Sequence, residues 1–353
     1  MQATVTPDTK EELQHNMATI SRCIYGNWIT QITYVFAELG IADQLTNGPR
    51  TLNQLATGLE VKEDILKRVL RCTFELEYLT FDQTTNLYNL TPRGALLSQT
   101  HPNSMREEAR LNGADYRYFP WGNLLKMLRN GLSEEYSPTF KNGSLDYLKD
   151  KPELLNTFHT ALSHKSKEED YKIIKNYDFS SFKKVMDIGC GKGSFIRSVL
   201  DHNPHLEGIM FDLPATLDEP IEEEYKGRLT QSGGSFFEKI PATADAYMMK
   251  NVIHNWPEDK AVLMMQQVRK AMAATDGIDT PPANKRLLIV ENLVPENGNT
   301  GIATWMDVNF MVIVGGVERT YSEYAELGEK CGFKLEGAFE TVSKRHILSY
   351  VLA

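Results

Sequence analysis

The spacing of apolar positions changes character about halfway along the chain. In the first half they recur at helical intervals. The stretch "NWITQITYVFAELGIADQL" (27–45) carries one such face and turns at Gly40. "TLNQLATGLEVKEDILKRVLRCTFELEYL" (51–79) predicts two helices broken around Gly58, the second with Ile65, Val69, Leu70 and Phe74 on one face. "LTFDQTTNLYNLTPRGALLS" then alternates apolar and polar residues around a polar turn, as a hairpin does. Helices followed by a hairpin is the order of a winged helix. Residues 100–180 read as helical and rich in aromatic side chains.

From residue 183 short apolar runs take over. "KVMDIG", "LEGIMFDLP", "DAYMMKNVIHNW" and "KRLLIVENLVP" are separated by helical stretches such as "GSFIRSVLDHN" and "DKAVLMMQQVRKAM". Buried strands alternating with helices predict a parallel sheet with crossover helices, the doubly wound α/β class. The boundary between the halves falls near 175–183. "AATDGIDTPPANK" (273–285) has the Gly, Pro and Asp content of a surface loop.

Composition narrows the partners. With 353 residues, 41% hydrophobic and 24% charged, the chain is an ordinary globular one with room for two domains. A net charge of −9 argues against nucleic acid. Within 51–79, Lys62, Lys67, Arg68 and Arg71 are interleaved with Glu60, Glu63, Asp64, Glu75 and Glu77. No basic recognition face results, so the winged helix is expected to dimerise rather than read DNA. Cys23, Cys72, Cys190 and Cys331 lie far apart without zinc-type spacing, which fits reduced thiols in a cytoplasmic protein and no metal site. No targeting segment or membrane span is expected.

The chemistry starts at "VMDIGCGKGSF" (185–195). Asp187, Gly189, Gly191 and Gly193 stand where the first strand should end and a helix begin. Glycines there let the backbone approach a ligand closely, and the helix offers free N–H groups. The spacing is G-x-G-x-G rather than the G-x-G-x-x-G of dinucleotide folds. Asp212, in "IMFDLP", closes the next apolar run about twenty residues on, where a carboxylate can accept from both ribose hydroxyls. These two features leave an NAD-type ligand and S-adenosylmethionine (SAM) both open.

The later segments "DAYMMKNVIHNWPEDKAV", "RLLIVENLVPE" and "DVNFMVIVGGVERTYSEYAELGEKCGF" follow the glycine turn in that order. Together they resemble the SAM-dependent small-molecule O-methyltransferases of the plant caffeate and microbial natural-product type. The resemblance spans nearly the whole chain. It implies a winged-helix dimerisation domain over 1–110, a helical linker and substrate-pocket segment over 111–182, and a Rossmann-like class I methyltransferase domain over 183–353. It implies SAM as cofactor, S-adenosylhomocysteine (SAH) as product, a hydroxylated small-molecule acceptor and a homodimer.

Residue by residue, the resemblance carries cofactor binding to Asp187, Gly189, Gly191, Gly193, Asp212 and Lys250. Ser166, in "FHTALSHKS", matches a serine near the cofactor's methionine end. His254 in "HNW" matches the catalytic base, with Asn255 where the family has an acid, and Glu291 and Glu318 match its two flanking carboxylates. Ser235 and Phe236, in "GGSFF", occupy the adenine-side segment, where the family often has an acid in place of Ser235. Trp121, Phe158, Leu162, Asn309, Phe310 and Ile313 lie where the family lines its acceptor pocket. His159 and His164 are expected on a helix facing that pocket, and Tyr25 and Trp28 at the partner subunit's pocket. Asn255 and Ser235 also keep open a relative that binds SAM without methylating, catalysing dehydration or pericyclic rearrangement.

Overall fold

The computed structural model describes residues 9–140, 143–274, 282–296, 301–343 and 345–353, with the side chains at 145, 159, 162–168 and 282 outside that description. The chain forms two compact units. One comprises Met1–Tyr118 and Lys151–His164, the other Phe119–Asp150 and Lys165–Ala353.

The first unit begins with α1 (Lys10–Ile24), α2 (Gly26–Glu38), α3 (Ile41–Leu45), α4 (Leu52–Gly58) and α5 (Glu63–Glu75). Thr9 and Thr51 start α1 and α4 with reciprocal caps to Glu12 and Gln54, satisfying amides that a helix end otherwise leaves open. Gly40, at φ +66°, separates α2 from α3 as its position in the apolar pattern predicts. The strands β1 (Leu79–Asp82) and β2 (Leu87–Leu90) pair antiparallel, Leu79 opposite Leu90, completing the winged-helix order. One detail differs from the expected face of α5. Leu66, Leu70 and Thr73 are its buried residues, whereas Ile65 is 57% exposed. Leu66 joins Phe36, Ile41, Leu55, Leu70 and Leu79 in one core. The short α6 (Pro92–Ala95) and α7 (Arg106–Gly113) follow, and α8 (Asp115–Gly122) contributes residues to both units.

The second unit adds α9 (Leu124–Asn130), α10 (Gly143–Leu148) and the last part of α11 (Pro152–Ile174) to a sheet. Its strands are β3 (Lys184–Ile188), β4 (Glu207–Asp212), β5 (Leu229–Gly233), β6 (Ala246–Lys250), β7 (Arg286–Glu291), β8 (Phe333–Glu340) and β9 (His346–Leu352). They run in the order β5-β4-β3-β6-β7-β9-β8. The first five are parallel, but β9 is antiparallel to β7 and β8 to β9, so the sheet is mixed rather than wholly parallel. The tight connection between β8 and β9, closed by Thr341 N–H on Arg345 O, permits only the antiparallel sense.

Four further helices complete the unit: α12 (Ser194–His202), α13 (Glu258–Ala273), α14 (Ile302–Val314) and α15 (Tyr321–Lys330). Successive strand residues enter opposite cores. Met186, Ile188, Phe211 and Met249 pack on one face, Val185, Met210, Met248 and Leu288 on the other. Strand order reverses at β3, which has β4 on one side and β6 on the other, so a crevice opens at the carboxyl ends of these strands. No helix among the described residues is long and apolar enough to cross a membrane.

Candidate active site

The glycine turn occupies that crevice. Gly189, Gly191 and Gly193 have φ of +70°, +56° and +76°, a left-handed sequence that turns β3 into α12 within five residues. A side chain at Gly189 would meet Val252 at 2.9 Å and the Phe236 ring at 3.7 Å. Asp212, the last residue of β4, pins the turn: its Oδ2 accepts the Gly191 N–H at 2.9 Å and its Oδ1 the Leu213 N–H at 2.7 Å.

Asp187 lies beneath the turn, 2% exposed. The Ile196 amide in the first turn of α12 donates to its carboxylate, while Oδ2 has no hydrogen-bond partner among the described residues. Burial pushes its pKa up to about 8 against the pull of Lys250. Lys250, the last residue of β6, places Nζ 2.6 Å from Asp170 Oδ1 and 5.5 Å from the Phe195 ring centre. Asp170 comes from α11, is fully buried, and accepts the Ser194 hydroxyl on its other oxygen at 2.8 Å.

Ser235 and Phe236 lie just after β5. Ser235 Oγ accepts the Phe237 N–H at 3.2 Å, so this residue closes its own turn. Phe236 packs edge-on to Phe237 and Trp256, with ring centres 4.7 and 6.2 Å away.

His254 sits in a single 3-10 turn, Ile253–Asn255, directly after β6 and is 5% exposed. Nδ1 is 3.0 Å from Glu318 Oε1 and 3.0 Å from Glu291 Oε2. One Nδ1–H cannot serve both, and the hydrogen-bond alignment favours Glu318. Glu291 ends β7, and its Oε1 accepts the Val252 N–H at 3.0 Å, holding the turn's backbone as well as facing the ring. Burial alone would lower the imidazole pKa, but Glu291 and Glu318 outweigh it and raise it to about 9. Burial also raises Glu318, with His254 pulling the other way. No hydrogen bond to Nε2 occurs among the described residues. Phe310 lies against the ring at 4.1 Å.

The ligand atoms of His254, Glu291 and Glu318 fall within 4.8 Å of one another, a grouping that a cation can also use. The 3.0 Å separations of Nδ1 from the two carboxylates are hydrogen-bond distances. Asn255, standing where an acid was expected, donates to the Asn251 carbonyl at 2.8 Å and braces the turn.

Beside this site, Trp121 Nε1 donates to Asn309 Oδ1 at 3.3 Å. Ile313 packs in a small core with Met127, Tyr136 and Val312. Phe158 belongs to the first unit. Leu162, Ser166, His159 and His164 have side chains outside the described residues. Tyr25 and Trp28 stack on each other at 4.5 Å where α1 meets α2, both exposed.

Two residues of the site escape the sequence reading. Asp170 is one acid in the run "KEEDY", and nothing local distinguishes it from its neighbours. Tyr324 is fully buried on α15, its hydroxyl without a hydrogen bond among the described residues, and burial followed by Glu291 and Glu318 drives its pKa well up.

Comparison with known proteins identifies the family. A family model described as the O-methyltransferase domain matches residues 121–334, and one described as the O-methyltransferase dimerisation domain matches 21–100. The chain is 33% identical to phenazine O-methyltransferase PhzM of Lysobacter antibioticus over 324 residues, 91% of this chain and 92% of that protein. The solved mitomycin 7-O-methyltransferase MmcR superposes with a TM-score of 0.85 at 28% identity, covering 98% of this chain and all of that one. NcsB1, an O-methyltransferase from neocarzinostatin biosynthesis solved with SAM and 2-hydroxy-5-methyl naphthoic acid, superposes with a TM-score of 0.78 at 26% identity, covering 92% of this chain and 96% of that one.

Proposed function

This chain belongs to the O-methyltransferase family, and we propose that it transfers the methyl group of SAM to a hydroxyl of a small aromatic secondary metabolite, with His254 as general base. One observation carries this reading. Two buried carboxylates converge on His254 Nδ1 while Nε2 makes no hydrogen bond among the described residues. With Nδ1–H given to Glu318, Nε2 is the basic nitrogen left to face an acceptor hydroxyl.

SAM supplies a methyl already activated on a sulfonium, so the protein's part is to orient the acceptor and remove its proton. A phenol has a pKa of about 10 and is mostly protonated near neutrality. A base in hydrogen-bond reach is typically worth about 10²–10⁴-fold. An imidazole raised to about 9 is well matched in basicity to a phenol, and Glu318 and Glu291 stabilise the imidazolium it becomes.

The glycine turn fits the cofactor. Asp187 offers a buried, unpartnered acceptor oxygen beneath it. Gly189, Gly191 and Gly193 keep the backbone open to close approach. Asp212 would take the ribose hydroxyls, Ser235 and Phe236 the adenine side, and Lys250 and Ser166 the methionine side. Trp121, Asn309 and Phe310 would line the acceptor site, backed by Ile313. In domain terms, 1–110 would dimerise, 111–182 shape the acceptor site, and 183–353 bind SAM. The match to a dimerisation domain supports a homodimer.

The relatives act on phenazine, mitomycin and naphthoate scaffolds, so a hydroxyphenazine and a hydroxynaphthoate are the acceptors to try first. Incubation of the full chain with SAM and each acceptor, scored by product mass and SAH, tests the reading. One added methyl with equimolar SAH supports it. A dehydrated or isomerised product without SAH would replace it with the non-methylating alternative.

A further inference from the structure

After β6 the chain must reverse sharply to bring Val252 and His254 under Glu291. Asn251 makes that reversal at φ +57°, in the left-handed region that only a few side chains tolerate, asparagine among them. Its N–H bonds the Val290 carbonyl at 3.2 Å, and its carbonyl accepts from Asn255. Its side chain is held separately. Arg345 Nη1 donates to Asn251 Oδ1 at 2.6 Å, while Arg345 Nε donates to Glu169 Oε1 on α11 at 2.7 Å. Arg345 immediately precedes β9, whose first residue, His346, pairs with Glu291 in the sheet. One guanidinium therefore ties α11, the β6 corner and the β9 start together, in a fork geometry that lysine cannot reproduce.

Lys250, one residue earlier, is anchored independently by Asp170. The clamp therefore acts on the base segment and not on the cofactor lysine. The geometry points to Arg345 as a positioning residue for methyl transfer: by holding the Asn251 side chain against Glu169, it fixes the left-handed corner that aims His254. This rests on the reading of His254 as the base. Arg345 itself touches neither His254 nor the glycine turn through any hydrogen bond among the described residues.

The test uses the full chain with Arg345→Gln, Asn251→Gly, Asn251→Asp and His254→Ala. Glycine adopts φ +57° freely, so Asn251→Gly removes the clamp without backbone strain. Aspartate tolerates the same conformation and keeps an oxygen for Arg345. Amide hydrogen exchange is read by mass spectrometry on peptides spanning 251–256 and 187–196. Arg345→Gln and Asn251→Gly should accelerate exchange in 251–256 by about tenfold or more and leave 187–196 unchanged. In the same two variants kcat should fall by about 10–100-fold with SAH affinity unchanged, and Asn251→Asp should retain wild-type exchange and kcat. Wild-type exchange and kcat in Arg345→Gln or Asn251→Gly overturns the inference, as does equal acceleration in both peptides. Full activity in His254→Ala would instead sink the base assignment, leaving the exchange result to judge the clamp alone.

Discussion

Gly316 packs directly on the carbonyl oxygen of His254, leaving no room for a side chain between them. The next residue, Val317, donates its N–H to that same oxygen at 2.9 Å. The loop bearing Glu318 is thus registered on the histidine by backbone contact, and acid and imidazole keep a fixed relation.

Gly316→Ala should therefore force the His254 turn and the Glu318 loop apart. We expect kcat to fall by about 100-fold, since a displacement of about 1 Å at a reacting group is enough for that. SAH affinity, measured by titration calorimetry, should hold, because Asp212 and the glycine turn are untouched. Unchanged kcat would mean that the loop shifts without disturbing the ring.

The raised imidazole gives the reaction a pH signature. With a folded pKa of about 9 against about 6.5 unfolded, the bound proton adds stability that is complete below about 6.5 and lost as pH climbs through about 9. As a base the ring works only when neutral, so kcat should rise from neutral pH to a plateau above about 9. Glu318→Gln removes one of the two carboxylates that hold the proton, so the limb should move to lower pH. A pH–rate profile in which the limb stays put would show that Glu318 does not act on the ring.

Lys250, at the end of β6, and Asp170 form a buried ion pair. Lys250→Met strips the fully buried Asp170 of its cationic partner. Removing one member of such a pair should destabilise the fold by about 3–5 kcal/mol, read from urea unfolding. The paired change Lys250→Met with Asp170→Leu should recover much of that loss without restoring SAM binding. A single variant as stable as wild type would contradict the buried pair.

Asp187 carries a linkage of the same sign over a lower pH window. Its folded pKa of about 8 lies above the unfolded value of about 3.9, so the folded chain keeps a proton that the unfolded chain has lost. Stability from this group falls as pH climbs from about 4 to about 8 and is level beyond. Asp187→Asn keeps an oxygen for the Ile196 amide and removes the titration. Its melting temperature should pull ahead of wild type as pH rises from about 5 to 8, with His254 contributing equally to both proteins. A gap independent of pH would refute the burial argument.

Local structure set by neighbours in sequence was legible; groupings made across the fold were not. The glycine turn and Asp212 could be read because a strand end, three alternate glycines and a second strand end fall within about thirty residues. The parallel strands β3, β4, β6 and β7 showed as apolar runs, but β5 and β8 did not: both are largely exposed, and the alternation of β8 is broken by the irregularity between Leu335 and Gly337. On α5 the apolar spacing puts Ile65 on the buried face, but the adjacent Leu66, about 100° round the helix, is the one that packs with Phe36 and Leu70. Asp170 and Arg345 are ordinary surface-type charges until the fold buries one against Lys250 and sets the other on Asn251. Glu291 and Glu318 became a pair only through the resemblance, since they stand 27 positions apart.

The central claim is methyl transfer with His254 as the base. Its most direct measurement is the turnover of wild type and His254→Ala with SAM and a hydroxyphenazine or hydroxynaphthoate, counting SAH and methylated product together. The account predicts equimolar SAH and methylated product from the wild type, with kcat about 10²–10⁴-fold lower in His254→Ala and SAM affinity retained. Full turnover in His254→Ala, or product formed without SAH, would contradict it.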